Sequence, residues 1–287
     1  MKRISICVVF AILSLCLVSV AQDAKLKLKF TTITVKNALD TRIYAVNNKG
    51  AMVGQYIDSQ SVAHGLLLVG TKLTTLDDPN GSNTFCIGIN TKKTIVGDYV
   101  NNSGVQVGFI YSGGKFTDLA PSGALSTTAE SVNDKGVVIG VYTDSSGLTH
   151  GFTWNGKKFK SFDAPGASST TGYGINNKGL MTVQWLDSTG NTESSLYDGK
   201  KFTKINVPGA VSSYAHGIDT AGDVVYSWTD STGLFHGAMR MGGKIYKFDD
   251  PKGTNGTYAD GINDNRLIVG VIHTNGGNTA EGFKATY

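Results

Sequence analysis

Short stretches in which apolar and polar residues alternate run through the chain from residue 30 to its end, and turns rich in Gly, Asn and Asp separate them. Alternation with a period of two residues is typical of half-buried β-strands. One unit shows the pattern with strand-like segments at 128–133, 137–142, 148–154 and 159–162. Asn155-Gly156, between the last two segments, is a strong signal for a β-hairpin. Because no segment keeps an apolar period of about 3.6 residues, the pattern predicts an all-β chain.

This four-strand unit recurs along the chain at a nearly constant spacing. All five prolines fall at one phase of the repeat, at Pro79, Pro121, Pro165, Pro208 and Pro251. A polar residue that follows Ile or Val marks another phase, at Asn47, Asn90, Asn133, Asn176, Asp219 and Asn263, with separations of 43, 43, 43, 43 and 44 residues. Four-stranded repeats of this length are typical of β-propeller blades. The sequence therefore predicts a six-bladed β-propeller with blades at about 41–79, 84–121, 127–165, 170–208, 213–251 and 257–287.

The two ends of the repeat region indicate how the ring closes. Residues 30–36 resemble the fourth strand of a blade, whereas the last unit stops after its third strand. We expect the N-terminal strand to complete the last blade, so that residues 30–287 form a single domain. The alternative, an open stack of six sheets, would leave two bare sheet edges that favour aggregation.

The N-terminus has the pattern of an export signal. Lys2 and Arg3 precede an apolar run that ends in small residues at Ala21. We predict a signal peptide at 1–21 with cleavage near Ala21-Gln22, a short leader at 22–29, and a mature chain secreted to the periplasm or the extracellular space. A retained membrane anchor is the alternative, because the run is close to spanning length. No other stretch predicts stable membrane insertion.

Charge and motifs exclude several kinds of partner and chemistry. The chain carries 26 Lys and Arg against 22 Asp and Glu, without a basic stripe, which argues against nucleic acid. No phosphate-binding loop or Ser–His–Asp order occurs, so we predict no cofactor. His64, His150 and His236 lie 86 residues apart, on alternate blades and too far apart to share one metal ion. We interpret each of them as a residue that forms a hydrogen bond within its blade or packs as a ring. Cys86, in a small apolar phase of the repeat, is interpreted as a packing residue.

Several short motifs recur at fixed phases of the repeat. They include the tripeptides His64-Gly65-Leu66, His150-Gly151-Phe152 and His236-Gly237-Ala238, together with Gly174-Ile175-Asn176-Asn177-Lys178-Gly179, Ile95-Val96-Gly97-Asp98-Tyr99 and Phe162-Asp163-Ala164-Pro165-Gly166-Ala167. Over residues 30–287 this combination resembles the HAF-type extracellular repeat family of bacteria. The fourth unit departs from it with Glu193-Ser194-Ser195, and units four and five carry Val183 and Tyr226 where the others have Gly. The resemblance implies a secreted repeat protein and leaves its activity open.

One position of the repeat varies in a way that scaffold residues do not require. Three residues before the marker the units carry Tyr44, Ile87, Glu130, Tyr173, His216 and Asp260, while the next position stays small. In a propeller the first strand of each blade lines the axial channel, so diverse polar and aromatic residues there can compose an asymmetric site. Together with residues two positions earlier, we predict a ligand-binding rim of Tyr44, Glu130, Tyr173, His216, Asp260, Arg42, Tyr214 and Tyr258. The alternative is that these side chains enter neighbouring blades and vary by drift.

Aromatic rings beside carboxylates suit sugars, because a ring can stack on the apolar face of a pyranose while polar groups bind its hydroxyls. We therefore predict a secreted, monomeric, non-catalytic module that binds extracellular polysaccharide or a surface partner at the channel rim, on the face with the blade-to-blade loops. One alternative is a carbohydrate-active enzyme, a hydrolase or lyase, that uses Glu130, His216 and Asp260 at the channel mouth. Another is a structural scaffold that offers its outer faces to other proteins.

Overall fold

The computed structural model describes residues 26–274, 276 and 279–287. The predicted signal peptide and its cleavage position lie outside the described residues. The described part contains the strands β1 (Lys29–Ile33), β2 (Asp40–Val46), β3 (Met52–Ile57), β4 (Ala63–Val69), β5 (Lys72–Leu76), β6 (Gly81–Ile89), β7 (Ile95–Asn101), β8 (Gln106–Ser112), β9 (Lys115–Leu119), β10 (Ser126–Val132), β11 (Val138–Thr143) and β12 (Thr149–Trp154). The second half contains β13 (Phe159–Phe162), β14 (Thr170–Ile175), β15 (Met181–Leu186), β16 (Thr192–Tyr197), β17 (Phe202–Lys204), β18 (Ser212–Ile218), β19 (Val224–Thr229), β20 (Phe235–Met241), β21 (Lys244–Phe248), β22 (Thr257–Ile262), β23 (Ile268–Thr274) and β24 (Thr279–Thr286).

These strands form six antiparallel sheets of four strands each, which confirms the predicted six-bladed β-propeller. Five blades take consecutive strands, from β2–β5 through β18–β21. The sixth has the order β1-β24-β23-β22, with Phe30 opposite Ala285, so the N-terminal strand closes the ring as predicted. No described helix is long and apolar enough to cross a membrane.

The cores lie between adjacent blades, because each strand turns alternate side chains to the two faces of its sheet. One such cluster joins Ile43 and Leu66 of the first blade to Val269 of the sixth. Cys86 is fully buried in another, which agrees with its packing role. Leu26 and Leu28 pack against the core of the last blades, so the leader continues the inward alternation ahead of β1.

The marker asparagines form a belt that joins neighbouring blades near the axis. Asn47 Nδ2 donates to the carbonyl of Asn90 at 2.9 Å, and the same bond recurs from Asn90, Asn133, Asn176 and Asn263 to the carbonyl of the next marker. Each of these asparagines also accepts two backbone N–H groups of its own turn through Oδ1, as Asn47 does from Lys49 and Ala51. Asp219 has no amide to donate, so the belt lacks its link from blade five to blade six.

The histidines of the tripeptides bond within their blades, as predicted. His150 Nδ1 lies 2.9 Å from Asp163 Oδ1, and its Nε2 lies 3.3 Å from Asp144 Oδ2. His64 and His236 have equivalent carboxylate partners. Val183 and Tyr226, which replace glycine in blades four and five, are fully buried, which agrees with a packing role.

Candidate ligand-binding site in the axial cavity

The innermost strands β2, β6, β10, β14, β18 and β22 surround the propeller axis, and each contacts the innermost strands of both neighbouring blades. Each is interrupted by a β-bulge at the variable position found in the sequence. In the first blade Ile43 pairs with Gly54 and Ala45 with Val53, which leaves Tyr44 without a partner residue. A bulge kinks the strand and re-aims the extra side chain.

These bulges bring five of the predicted residues together around one cavity. Tyr44, Glu130, Tyr173, His216 and Asp260 all line an axial cavity of about 430 Å³. A shared cavity is the arrangement that the rim prediction requires of these residues. The cavity extends past the belt to the turns between the first and second strands, at the opposite end of the inner strands from the blade-to-blade loops.

The other three predicted residues do not line this cavity. Arg42 points its guanidinium to Asp40, with an Nη2–Oδ2 distance of 2.9 Å. Tyr214 and Tyr258 flank Phe235, with ring centroids 5.6 and 4.5 Å away. Since these residues come two positions earlier in their strands, they lie nearer the blade-to-blade loops. Five residues of the predicted rim therefore line the axial cavity, whereas Tyr214 and Tyr258 form an aromatic row nearer the blade-to-blade loops.

Blades two and three also place Phe85, Asp98, Gln106 and Thr128 on the cavity, and none of them is among the eight predicted rim residues. Phe85 and Thr128 occupy the phase two positions before the variable one, whereas Asp98 and Gln106 were missed in the sequence. Asp98 lies on the second strand of its blade, is only 2% exposed, and accepts a hydrogen bond from Gln106 Nε2 at 2.6 Å. A signal was present, because the same phase carries only neutral residues in the other units, at Gln55, Val141, Gln184, Ser227 and Val271.

Burial dominates the electrostatics of the cavity. It raises the pKa of Glu130 to about 8, helped by the charges of Asp98 and Asp260. Burial raises the pKa of Asp98 to about 7, although the hydrogen bond from Gln106 acts in the opposite direction. It also raises the pKa of Asp260 to about 7, although the positive charge of Arg42 opposes the shift. Near neutral pH these carboxyl groups therefore hold protons part of the time and can donate as well as accept hydrogen bonds.

The imidazole and the two phenols that line the cavity are uncharged near neutral pH. Burial lowers the pKa of His216 to about 4, so its imidazole is neutral at physiological pH. Its Nε2 lies 3.9 Å from Asp260 Oδ1, and its ring meets that of Tyr173 edge to face at 5.2 Å. Burial also raises the pKa of Tyr44 and of Tyr173, which keeps both phenols protonated. Among the described residues, no three His, Cys, Asp or Glu side chains are placed to hold a metal ion.

Comparison with known proteins supports the fold. No family model matches the chain, and no curated protein matches it. Among solved structures it is similar to the lectin of the fungus Aleuria aurantia, a six-bladed β-propeller with a novel mode of fucose recognition, at 13% identity over 88% of this chain and 93% of that chain, with a TM-score of 0.54. The SapL1 lectin in complex with α-methyl fucoside matches at 13% identity over 88% and 94% of the chains, with a TM-score of 0.58. TolB from Acinetobacter baumannii matches at 10% identity over 87% of this chain and 64% of its own, with a TM-score of 0.57. At such identities the likeness defines the class of fold, a six-bladed β-propeller.

Proposed function

We propose that this chain is a secreted, non-catalytic carbohydrate-binding module of the HAF-type repeat class, whose glycan ligand enters the axial cavity from the face with the turns between first and second strands. The observation that carries the proposal is the row of bulges, which directs rings, carboxyl groups and an imidazole from different blades into one space. The lectins with the same fold, at low identity, make a carbohydrate ligand the natural first choice.

The cavity has suitable size and chemistry for part of a glycan chain. Its volume of about 430 Å³ lies within the range of roughly 300–1,000 Å³ usual for small-ligand pockets. Tyr44 and Tyr173 offer ring surface to the apolar face of a sugar, and Glu130 and Gln106 offer polar atoms to its hydroxyl groups.

The test is binding of the purified protein to a panel of bacterial and plant polysaccharides. We expect one or more to bind, and the double variant Tyr44→Ala/Tyr173→Ala to lose binding at least about tenfold while remaining folded. The matched control is Tyr111→Ala/Tyr246→Ala, which removes two tyrosines of outer strands that do not line the cavity. Binding that survives the cavity variant would move the site elsewhere, and an absence of glycan binding would favour a protein-interaction scaffold.

A specific observation supports a carbohydrate-active enzyme as second candidate. Carboxyl groups with pKa values raised to about 7 and about 8 are suited to act as general acids near neutral pH. Product release, monitored in the same wells as new reducing or unsaturated ends, separates the two functions. If the protein is a binding module, we expect binding without release of product, and Glu130→Gln should change only the affinity.

A further inference from the structure

The wall of the axial cavity is strongly biased toward acidic residues. It contains Asp98, Glu130, Asp134, Asp219, Asp260 and Asp264, and no Lys or Arg. The bias does not follow from composition, because the whole chain has a formal net charge of +4. A cleft lined by one sign of charge concentrates ligands of the opposite sign.

The positive charges that act on these groups come from outside the cavity wall, such as that of Lys92, which acts on Asp134 from the turn after β6. His216 is neutral at physiological pH because burial lowers its pKa to about 4. Arg42 lies outside the cavity wall and forms an ion pair with Asp40 at 2.9 Å, although its charge still acts on Asp260. The acidic wall therefore faces the cavity without a basic side chain in it.

Two of the acids retain oxygens that no described residue satisfies. Asp98 is 2% exposed, and its Oδ2 accepts from Gln106 at 2.6 Å while its Oδ1 has no hydrogen-bonding partner among the described residues. The carboxyl group of Glu130 likewise forms no hydrogen bond within the described part of the chain, although it lines the cavity. Because these oxygens have no protein partner and their residues line the cavity, they are free to accept hydrogen bonds from a ligand.

Aromatic rings complete the same space. Tyr44 and Tyr173 line the cavity, as does Phe85 from the neighbouring blade. A ring face attracts a cation, and a protonated amine offers several N–H donors to surrounding carboxylates. The rings and the unpaired carboxyl groups are therefore both complementary to a protonated amine.

We propose that the axial cavity selects sugars that carry a free, protonated amino group over their neutral or acetylated counterparts. This inference rests on the proposed carbohydrate-binding function and specifies its ligand class. An ammonium group would favour the ionised form of the carboxyl groups around it, so binding would be coupled to proton release. A neutral sugar would leave those groups protonated and gain hydrogen bonds only.

The experiment compares ligands that differ only at the amine. Glucosamine is titrated against N-acetylglucosamine and glucose, and chitosan oligomers against chitin oligomers of the same length, at about pH 6.5, where the carboxyl pKa values predict coupled proton release. We expect the free amine to bind about tenfold more tightly, the gain typical of a cation that meets rings and carboxylates together. Calorimetry in buffers of different ionisation enthalpy should show proton release with glucosamine and none with N-acetylglucosamine.

A carboxylate variant ties the preference to the cavity. In Glu130→Gln the preference for the amine, measured as the ratio of the dissociation constants of the acetylated and the free sugar, should fall to a few-fold. The matched control is Glu281→Gln on β24, outside the cavity wall, which should behave as the wild type.

The possible outcomes separate this inference from the proposed function. Equal affinity for the amino and acetylated forms, or an amine preference that survives Glu130→Gln, overturns the inference and leaves the carbohydrate function in place. Binding of a simple diamine such as 1,4-diaminobutane without binding of any sugar supports the amine selectivity and overturns the carbohydrate function. If none of these probes binds, both are wrong.

Discussion

At the scale of single residues, the tripeptide residue His64 shows how a side chain can couple stability to pH. His64 Nδ1 lies 2.9 Å from Asp77 and its Nε2 lies 3.3 Å from Asp58, so both nitrogens donate only when the ring is protonated. Burial opposes protonation, but the hydrogen bonds to the two carboxylates outweigh it and raise the pKa of His64 above 6.5. Such a group stabilises the fold below its unfolded-state pKa and loses that contribution as the pH rises through its folded-state pKa.

The substitution His64→Gln should therefore destabilise the fold more at acidic than at alkaline pH. We expect the wild type to have the higher melting temperature by a few degrees at about pH 5.5, and the gap to shrink as the pH rises to about 8.5. Thermal unfolding of both proteins at the two pH values measures this. His273→Gln is the control, because the His273 ring lies tilted against that of Tyr258, with centroids 4.9 Å apart, and has no carboxylate partner among the described residues. A gap that stays constant with pH would show that His64 acts through packing alone.

At the scale of the blade, the glycine of the tripeptide makes room for the strand beside it. Gly151 pairs with Phe162, and a Cβ at this glycine would come within 2.5 Å of the Phe162 ring. In the fourth blade the same two phases carry Ser194 and Ile205. There Ser194 Oγ is fully paired, since it donates to the carbonyl of Ser213 at 2.7 Å and accepts from the Ala215 N–H at 2.8 Å.

Gly151→Ala should destabilise the protein by roughly 1–3 kcal/mol, the usual cost of overpacking a tight core position. Urea unfolding followed by fluorescence measures the change. The double variant Gly151→Ala/Phe162→Ile, which places the smaller residue of the fourth blade opposite the new methyl group, should recover much of the loss. If the double variant is less stable than Gly151→Ala alone, contact with the Phe162 ring is not the reason why this position requires glycine.

How far the sequence predicted the structure also differs between elements. The regular spacing of Asn47 and its equivalents predicted the number of blades, because each repeat must form the same hydrogen bonds. Strand β1 was predicted from the resemblance of residues 30–36 to a fourth strand and from the lack of such a strand in the last unit. The bulge at Tyr44 was not predicted, because a bulge depends on how neighbouring strands pair and does not alter the spacing of the sequence repeat. Asp98 was missed for a related reason: it belongs to a second strand and reaches the cavity only in one blade.

At the scale of the whole ring, the belt of marker residues is asymmetric. Asn263 Nδ2 donates to the carbonyl of Asn47 at 2.9 Å, but the carboxylate of Asp219 cannot donate to the carbonyl of Asn263. Burial raises the pKa of Asp219, so its ionised form is disfavoured in the folded state. An acid whose folded-state pKa is raised makes the fold less stable as the pH rises through that pKa.

Asp219→Asn should complete the belt and stabilise the protein by about 1 kcal/mol, the typical net contribution of one hydrogen bond. The gain should be larger at neutral pH than at about pH 4, because acid shifts the wild-type carboxyl group toward its neutral form, which is able to donate a hydrogen bond. Urea unfolding at both pH values measures it. The reverse change, Asn263→Asp, removes an existing link and should destabilise by a similar amount. A neutral or destabilising Asp219→Asn would show that the gap between blades five and six is closed by other contacts.

The pairing of β1 with β24 also constrains the order in which the molecule can form during synthesis. Lys29 lies opposite Thr286, so β1, the first of the described strands, has no partner until β24, the last of them, has been made. Until then β1 remains single and the sixth sheet is incomplete, while the middle blades contain only local hairpins and can assemble earlier. The ring is therefore a late event in biosynthesis. A circular permutant that joins the present ends and opens the loop before β10 would make the sixth blade contiguous, and its refolding should lose the slow phase that end-to-end closure imposes.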